Sequence, residues 1–292
     1  MIFSEKLHHI IREHELLAPY CWLRIGGPAR YFAEPTTIAE LRVLVSEATA
    51  AGISIRILGG GSNLLVREPG VDGLVISLGT PDFSRIKIQG NTVIVGSGAK
   101  LGHLISHTIG SGLAGLEHLV GIPGTVGGAV VGNAGVINDD LGSHVVAATV
   151  IERDGNVRRI EKSSLQFAFR RSNLGDAIIS EVELELEKGS EQELTRRMQA
   201  NWIIKRANQP STDLRSVLAF VEPGGASIGE LFESTGVKGT AEGDASLSGP
   251  FPGYIIVSGT ATSDQVLALV ARVRRTVELK TGIALQSQLR IW

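Results

Sequence analysis

The chain has 292 residues, 43% of them hydrophobic, with 28 Lys plus Arg against 30 Asp plus Glu and a net charge of -2. At roughly 100–200 residues per domain this length allows two domains with a sizeable core, and the balanced charge argues against nucleic acid or an anionic membrane as the main partner. One cysteine, Cys21, excludes a disulfide framework and a multi-cysteine zinc site and fits a reducing compartment.

Residues 2–17 carry Leu7, Ile10, Ile11 and His14 near helical spacing, which predicts a short amphipathic helix that Pro19 ends. Charged residues interrupt this stretch, so it lacks the apolar core of a signal peptide, and no apolar run reaches the ~20 residues that span a bilayer. Residues 22–35 read as extended around a Gly26-Gly27-Pro28 turn. Thr37 to Ala51 reads as a helix with Thr37 as N-cap, Glu40 three residues on and Gly52 as stop. Strands follow at 53–58, 73–78, 85–89 and 92–96, then a helix at 101–112 and a glycine-rich stretch at 115–135. Asp139-Asp140 reads as a loop. Strands at 145–152 and 156–161 flank Asp154-Gly155, a hairpin signal. Residues 178–187 alternate apolar residues with Glu181, Glu183, Glu185 and Glu187, the pattern of a half-buried strand with an acidic, solvated face. A polar helix at 191–206 is broken by Asn208-Gln209-Pro210, where a domain boundary is expected. Beyond it come a strand, a helix (227–235), a strand (254–258) and a last helix from 263 to 280, with Ser263 as N-cap and Gly282 as its end.

Thirty-six glycines against 8 Phe, 3 Tyr and 3 Trp point to places where backbone approaches a ligand. Three loops concentrate them. The first is Leu58-Gly59-Gly60-Gly61-Ser62-Asn63-Leu64. Its backbone N–H groups with Ser62 and Asn63 suit an anion, and it reads equally as a tight turn between strands. No Gly-Lys-Ser/Thr follows, so it is not a P-loop, and a Rossmann fingerprint is missing too. The second, Val95-Gly96-Ser97-Gly98-Ala99, precedes a helix start, a place that suits phosphate. The third is Gly121-Ile122-Pro123-Gly124-Thr125-Val126-Gly127-Gly128-Ala129, continued by Gly132-Asn133-Ala134-Gly135. It is long, apolar and uncharged, so it can lie flat against a large aromatic ligand; the alternative is a tightly packed core crossover. His103 and His107 stand four apart, a metal-compatible spacing without an acidic third ligand, so no metal is expected and a surface helix is the simpler reading. Cys21 has no partner base and reads as buried and inert.

These loops, in this order, resemble the flavin-binding domain of the UDP-N-acetylenolpyruvoylglucosamine reductase (MurB) family. The resemblance extends to Leu23-Arg24-Ile25-Gly26-Gly27-Pro28-Ala29, to Phe167-Ala168-Phe169-Arg170-Arg171-Ser172, and to Ser227-Ile228-Gly229-Glu230-Leu231-Phe232-Glu233 followed by Gly236-Val237-Lys238-Gly239. It covers about Leu23 to Leu289 and matches the shorter type of the family. It implies an α+β fold with a two-part FAD-binding domain of the vanillyl-alcohol-oxidase (PCMH) type and a small C-terminal α+β substrate domain. The expected layout is an N-terminal helix at 1–21, the FAD domain at 22–206 and the substrate domain at 207–292. The resemblance also implies non-covalent FAD, NADPH as co-substrate, a UDP-sugar substrate, a cytoplasmic setting and a role in peptidoglycan precursor synthesis; it leaves the oligomeric state open. Residues 58–64, 121–125, 127–129 and 133 are the implied cofactor contacts.

In such enzymes an arginine and a glutamate bind and polarise the substrate carboxylate while a serine protonates the neighbouring carbon. Where the family shows Tyr-Arg-x-Ser, this chain has Phe169-Arg170-Arg171-Ser172, so Arg170 is the implied carboxylate clamp. The serine does not carry over. The family's Gly-Ser-x-Phe-Lys/Arg-Asn-Pro corresponds to Val217-Leu218-Ala219-Phe220-Val221-Glu222-Pro223, which puts Leu218 at the donor position. Ser216 lies two residues earlier, on the same strand face but ~6.6 Å away. The glutamate corresponds to Gln288, which keeps the shape and loses the charge. The expectation is FAD binding with weakened reductase activity. The alternatives are a flavoprotein of this fold acting on another substrate and a flavin-holding protein without turnover.

Overall fold

The computed structural model describes residues 2–136, 139–223 and 226–292. A 3-10 turn over Glu5–Ile10 leads into strand β1 (Ile11–Leu16), in place of the helix expected at the N-terminus. Leu7 and Ile10 are buried as their spacing suggested. The chain then extends because β1 finds a partner in β2 (Pro28–Ala33), and pairing outweighs a short helical pattern. Helix α1 (Ile38–Ala50) starts with the expected capping box: Thr37 accepts from Glu40 N–H, and Glu40 accepts from Thr37 N–H. Strands β3 (Ile55–Leu58) and β4 (Val71–Ser77) run parallel and complete a sheet ordered β1-β2-β4-β3.

Next come β5 (Ile86–Gln89), β6 (Thr92–Gly96), α2 (Leu101–Gly110), the short α3 (Val126–Val131), β7 (Val145–Ile151), β8 (Val157–Glu161), β9 (Ile178–Glu185) and α4 (Glu191–Ala207). The strands form an antiparallel sheet ordered β8-β7-β9-β6-β5. Its inner residues, Val93, Val95, Val182 and Leu184 among them, pack with Leu101, Leu104, Ile105 and Ile109 of α2. On β9, Glu181 and Glu185 are exposed and Glu183 accepts from Arg159 at 2.8 Å, so the acidic face is solvated as expected. The β7–β8 hairpin turns where expected, with Gly155 at φ +84° and Asn156 N–H donating to Asp154.

The last elements are β10 (Arg215–Leu218), α5 (Ile228–Thr235), β11 (Ala241–Glu242), β12 (Ala245–Leu247), β13 (Tyr254–Val257) and α6 (Ser263–Thr281). The strands are antiparallel in the order β10-β13-β12-β11. Val217, Ile255 and Leu247 face one core with Val266, Leu269, Val270, Val273 and Val277, a helical apolar stripe on α6. Thr262, rather than Ser263, caps α6, in a capping box with Gln265. Ser263 instead donates its N–H and hydroxyl to Glu68, which latches segment 61–71 onto the helix start and holds the Glu68 carboxyl below its ordinary range. Thr262→Ala is expected to cost about 1 kcal/mol and lower the unfolding midpoint by about 2–4 °C. An unchanged midpoint would show that Gln265 holds the helix start alone.

The chain divides into two compact units, Met1–Glu13 with Tyr31–Gly60 and Asp72–Ala207, and His14–Arg30 with Gly61–Val71 and Asn208–Trp292. Both mix helix and sheet, the α+β class expected. Among the described residues, no helix is long and apolar enough to cross a membrane.

Candidate flavin and substrate site

In the first unit the three glycine loops meet. A Cβ on Gly60 would lie 2.6 Å from the Gly124 Cα, and one on Gly59 would lie 2.9 Å from the Thr125 Oγ1. The first and third loops therefore touch almost backbone to backbone, which only glycine permits. The second and third are zipped by hydrogen bonds: Gly127 N–H to Ser97 O (2.7 Å), Val126 N–H to Ala99 O (2.9 Å) and Leu101 N–H to Gly124 O (3.1 Å). The last of these corrects the phosphate reading of the second loop, because the first N–H of α2 is already bonded. Gly96 and Gly98 serve packing: a Cβ on them would meet the Phe83 O at 2.1 Å and the Leu78 O at 1.5 Å. What stays open is glycine-dense backbone. Gly59, Gly60, Gly121, Pro123 and Gly128 are exposed, whereas Ile122 and Ala129 are half-buried against the core. Thr125 accepts from Gly128 N–H as the cap of α3. This side-chain-poor surface fits a flat, polar-edged group such as a flavin, read through main-chain donors and acceptors.

Asn133 behaves differently from its expected role. Its side chain is buried; Nδ2 donates to Asp140 Oδ2 (2.8 Å) and to Ala168 O (3.0 Å), and Oδ1 accepts from Gly142 N–H (2.9 Å). These bonds spend the amide inside the protein, where it pins the end of the third loop. Asp139–Asp140, expected as loop, pairs with Gly135–Val136 as a short strand and supplies that partner. Through Ala168, Asn133 also holds a hairpin, Phe167–Ala168 against Arg171–Ser172, whose two-residue turn is Phe169-Arg170. Ser172 Oγ ties the same hairpin to Val131 O at 3.0 Å. Arg170 is thereby brought to the third glycine loop. It sits at φ +59°, a left-handed conformation that costs a residue with a Cβ about 1–2 kcal/mol. Its guanidinium lies 5.5 Å from the Phe169 ring centre.

A residue the sequence reading missed lies along the third loop. Lys205, on α4, is half-buried, and its stem runs along the third loop: a Cβ on Gly121 would lie 3.4 Å from the Lys205 Cβ and Cδ. Burial, with the Arg170 charge adding to it, pushes the ammonium down to about 8. Only the tertiary fold signals this lysine; locally it is one cation in a polar helix.

In the second unit, Gly61 adopts φ +62°, and a Cβ there would meet the Tyr20 O at 1.9 Å. Leu64–Leu65 pairs in parallel with Arg290–Ile291. Asn63, expected to meet phosphate, donates from Nδ2 to Gln288 O at 2.6 Å, and its own carbonyl accepts from Arg290 N–H. Gln288 N–H in turn donates to Ala219 O at 2.8 Å, and Phe220 bridges Ser287. The backbone at Gln288 thus lies against the segment that follows Leu218. Strand β10 keeps a regular register, Ser216 opposite Ile256 and Leu218 opposite Tyr254. Both side chains lie on the sheet face away from the Val217 core, Ser216 buried and Leu218 half-buried. Cys21 is buried and its thiol is pushed up to about 11 by burial, the inert state expected. His103 and His107 are exposed on α2, and among the described residues no cluster of His, Cys, Asp and Glu could hold a metal.

Comparison with known proteins bears on both halves. Residues 29–161 match the family model described as FAD binding domain, and residues 209–292 match that of the UDP-N-acetylenolpyruvoylglucosamine reductase C-terminal domain. The chain is 44% identical over 290 residues to the UDP-N-acetylenolpyruvoylglucosamine reductase of Rhodopirellula baltica, covering 99% of this chain and 95% of that one. It is 38% identical over 297 residues to UDP-N-acetylenolpyruvoylglucosamine reductase 2 of Symbiobacterium thermophilum, covering 99% and 96%. The crystal structure of the reductase (MurB) from Thermus caldophilus superimposes with a TM-score of 0.82 at 34% identity, covering 97% of this chain and 99% of that one.

Proposed function

The chain belongs to the UDP-N-acetylenolpyruvoylglucosamine reductase (MurB) family, and from that premise we propose that it reduces the enolpyruvyl group of a UDP-sugar in the cytoplasm with NADPH as electron source. The domain roles follow the expected layout, residues 22–206 for FAD and 207–292 for substrate. As a member of this family it is a flavoprotein oxidoreductase of peptidoglycan synthesis. The glycine backbone at 59–60 and 121–128 would hold FAD, which would supply the hydride chemistry between nicotinamide and substrate.

The chain's own residues do the rest. The exposed glycine backbone of 59–60 and 121–128 receives the flavin, with Asn133 and Thr125 holding that backbone in shape. Arg170 receives the substrate carboxylate in its planar fork and stabilises the negative charge that grows there during reduction. In the second unit Gln288 keeps a neutral hydrogen-bonding side chain where the family has its glutamate, and Ser216 is the hydroxyl that precedes Leu218 by two residues on β10. The observation that carries this reading is the tie between the Arg170 hairpin and the third glycine loop through Asn133 and Ser172.

Weakened turnover is part of the proposal, since Leu218 cannot donate a proton and Gln288 cannot carry charge. The apolar pair Leu218–Tyr254 on the outer face of β10–β13 favours, as a second reading, a less anionic substrate for the same flavin. The test separates the half-reactions. The purified protein is reduced with NADPH without oxygen, then given the enolpyruvyl UDP-sugar. Prompt return of the oxidised flavin spectrum is expected for the family reaction. A flavin that bleaches and stays reduced assigns the protein to another substrate, and a preparation that binds no flavin overturns the reading.

A further inference from the structure

The hairpin that carries Arg170 is fixed at its base and bare at its tip. At the base, Phe167 is half-buried against Gly142, where a Cβ would lie 2.3 Å from the Phe167 Cγ, and Asn133 and Ser172 add their hydrogen bonds. At the tip, Phe169 is 47% exposed, and among the described residues no other phenylalanine is exposed. A phenyl ring left in water forgoes the stabilisation that burial gives, so core packing does not account for it. Its ring meets a charge instead: the Arg170 guanidinium carbon lies over it, 5.5 Å from the centre, inside the ~6 Å within which a ring face attracts a cation. The turn brings the two together. Of its central residues only the second, Arg170, has a positive φ, +59°, at the position where such a turn asks for glycine. An unheld arginine spreads its guanidinium over many rotamers and loses that freedom when it grips a ligand. A carboxylate beside it would hold it but occupy its fork. An aromatic face holds the charge and leaves the N–H donors to the ligand.

We propose that Phe169 is a positioning residue for Arg170, its ring holding the guanidinium in place for the substrate carboxylate. This rests on the reductase reading above, in which Arg170 is the clamp. Every residue the argument uses, from Val131 to Ser172, lies in the first unit. The ring acts before the substrate arrives, by limiting where the guanidinium can be, so less freedom is lost when the carboxylate binds.

Phe169→Leu in the holoenzyme keeps an apolar side chain and removes the ring. Its kcat/KM for the enolpyruvyl UDP-sugar is expected to fall about tenfold, while Phe169→Tyr, which keeps the ring, stays within about twofold of the parent. An Arg170→Gln background shows whether the ring works through the arginine: there Phe169→Leu is expected to cost less than about twofold, since residues that act as one unit are not additive. NMR reads the contact without turnover. The Arg170 side-chain signals are expected to be displaced by the ring current in the parent and in Phe169→Tyr, and to return to ordinary arginine positions in Phe169→Leu. Undisplaced signals in the parent overturn the proposal even if the leucine variant does not fold. So does a leucine variant that folds and matches the parent in kcat/KM. An equal loss in both backgrounds overturns the route through Arg170 and gives the ring its own contact with the substrate. A parent that NADPH reduces and the enolpyruvyl UDP-sugar never reoxidises overturns the reductase reading, and the proposal with it. Arg170→Gln with unchanged kcat/KM overturns the clamp on which the proposal stands.

Discussion

Arg170→Gly loses reductase turnover by about 10²–10³ while keeping or raising thermal stability. The two effects have separate origins at one residue. Turnover falls because the guanidinium is the charged donor assigned to the carboxylate, and a donor used in the transition state is worth that factor. Stability holds because Arg170 sits at φ +59° in a two-residue turn. Glycine relieves about 1–2 kcal/mol of left-handed strain and gives back about 0.4–1 kcal/mol through the freer unfolded chain. The net is about 0 to +1.6 kcal/mol, a midpoint shift of at most ~6 °C upward. A protein in that position keeps a strained arginine for chemistry rather than for the turn. Loss of activity together with a midpoint lowered by more than ~5 °C would mean that Arg170 holds the hairpin, and the clamp assignment falls.

Leu218→Ser combined with Gln288→Glu raises the rate of flavin reoxidation by the enolpyruvyl UDP-sugar, by at least about 10²-fold, since a positioned general acid is worth ~10²–10⁴. The two positions belong together in the second unit. Gln288 N–H donates to the carbonyl of Ala219, the residue after Leu218, and Phe220 bridges Ser287. Asn63 fixes the Gln288 carbonyl from the other side. A serine at 218 enters a half-buried place on the outer sheet face, opposite Tyr254 and beside Gly253, where a Cβ would lie 3.2 Å from the Leu218 Cδ1. Ser216 stands two residues before Leu218, opposite Ile256 in a register that is regular over all four residues of β10. Single-turnover reoxidation measures the gain. If the double variant reoxidises no faster than the parent, the correspondence of these two positions with the family's acid and glutamate is wrong.

Local chemistry was readable wherever a local signal decides the outcome. The Thr37–Glu40 capping box, the Asp154-Gly155 hairpin and the β9 alternation appear in the structure as the sequence implies, because each is settled within a few residues. The N-terminal helix failed because β1 is decided by its neighbour β2. The cap of α6 moved by one residue because Ser263 was needed for Glu68, almost two hundred positions away and invisible to any local pattern. In the site, the glycine loops and Arg170 carried motifs. Asn63 and Asn133 did too, and both amides also make internal bonds that no motif announces, since a motif marks a needed side chain without saying which neighbour needs it. Lys205 had no motif at all. Its environment comes from a helix crossing a distant loop, a relation written only in three dimensions.

The pairing of Leu64–Leu65 with Arg290–Ile291 sets an order in time. Asn63 and its partner Gln288 are 225 residues apart. At the ~5–20 residues per second of bacterial-type synthesis, that separation delays their meeting by roughly ten seconds to most of a minute. In the last part of that interval, once residue 207 is made, the first unit has all of its sequence and can pack, while the strand that begins just past the third glycine still has no partner to lie on. A newborn chain therefore carries the Leu64-Leu65 edge unpaired, open to wrong pairing, until the far strand arrives.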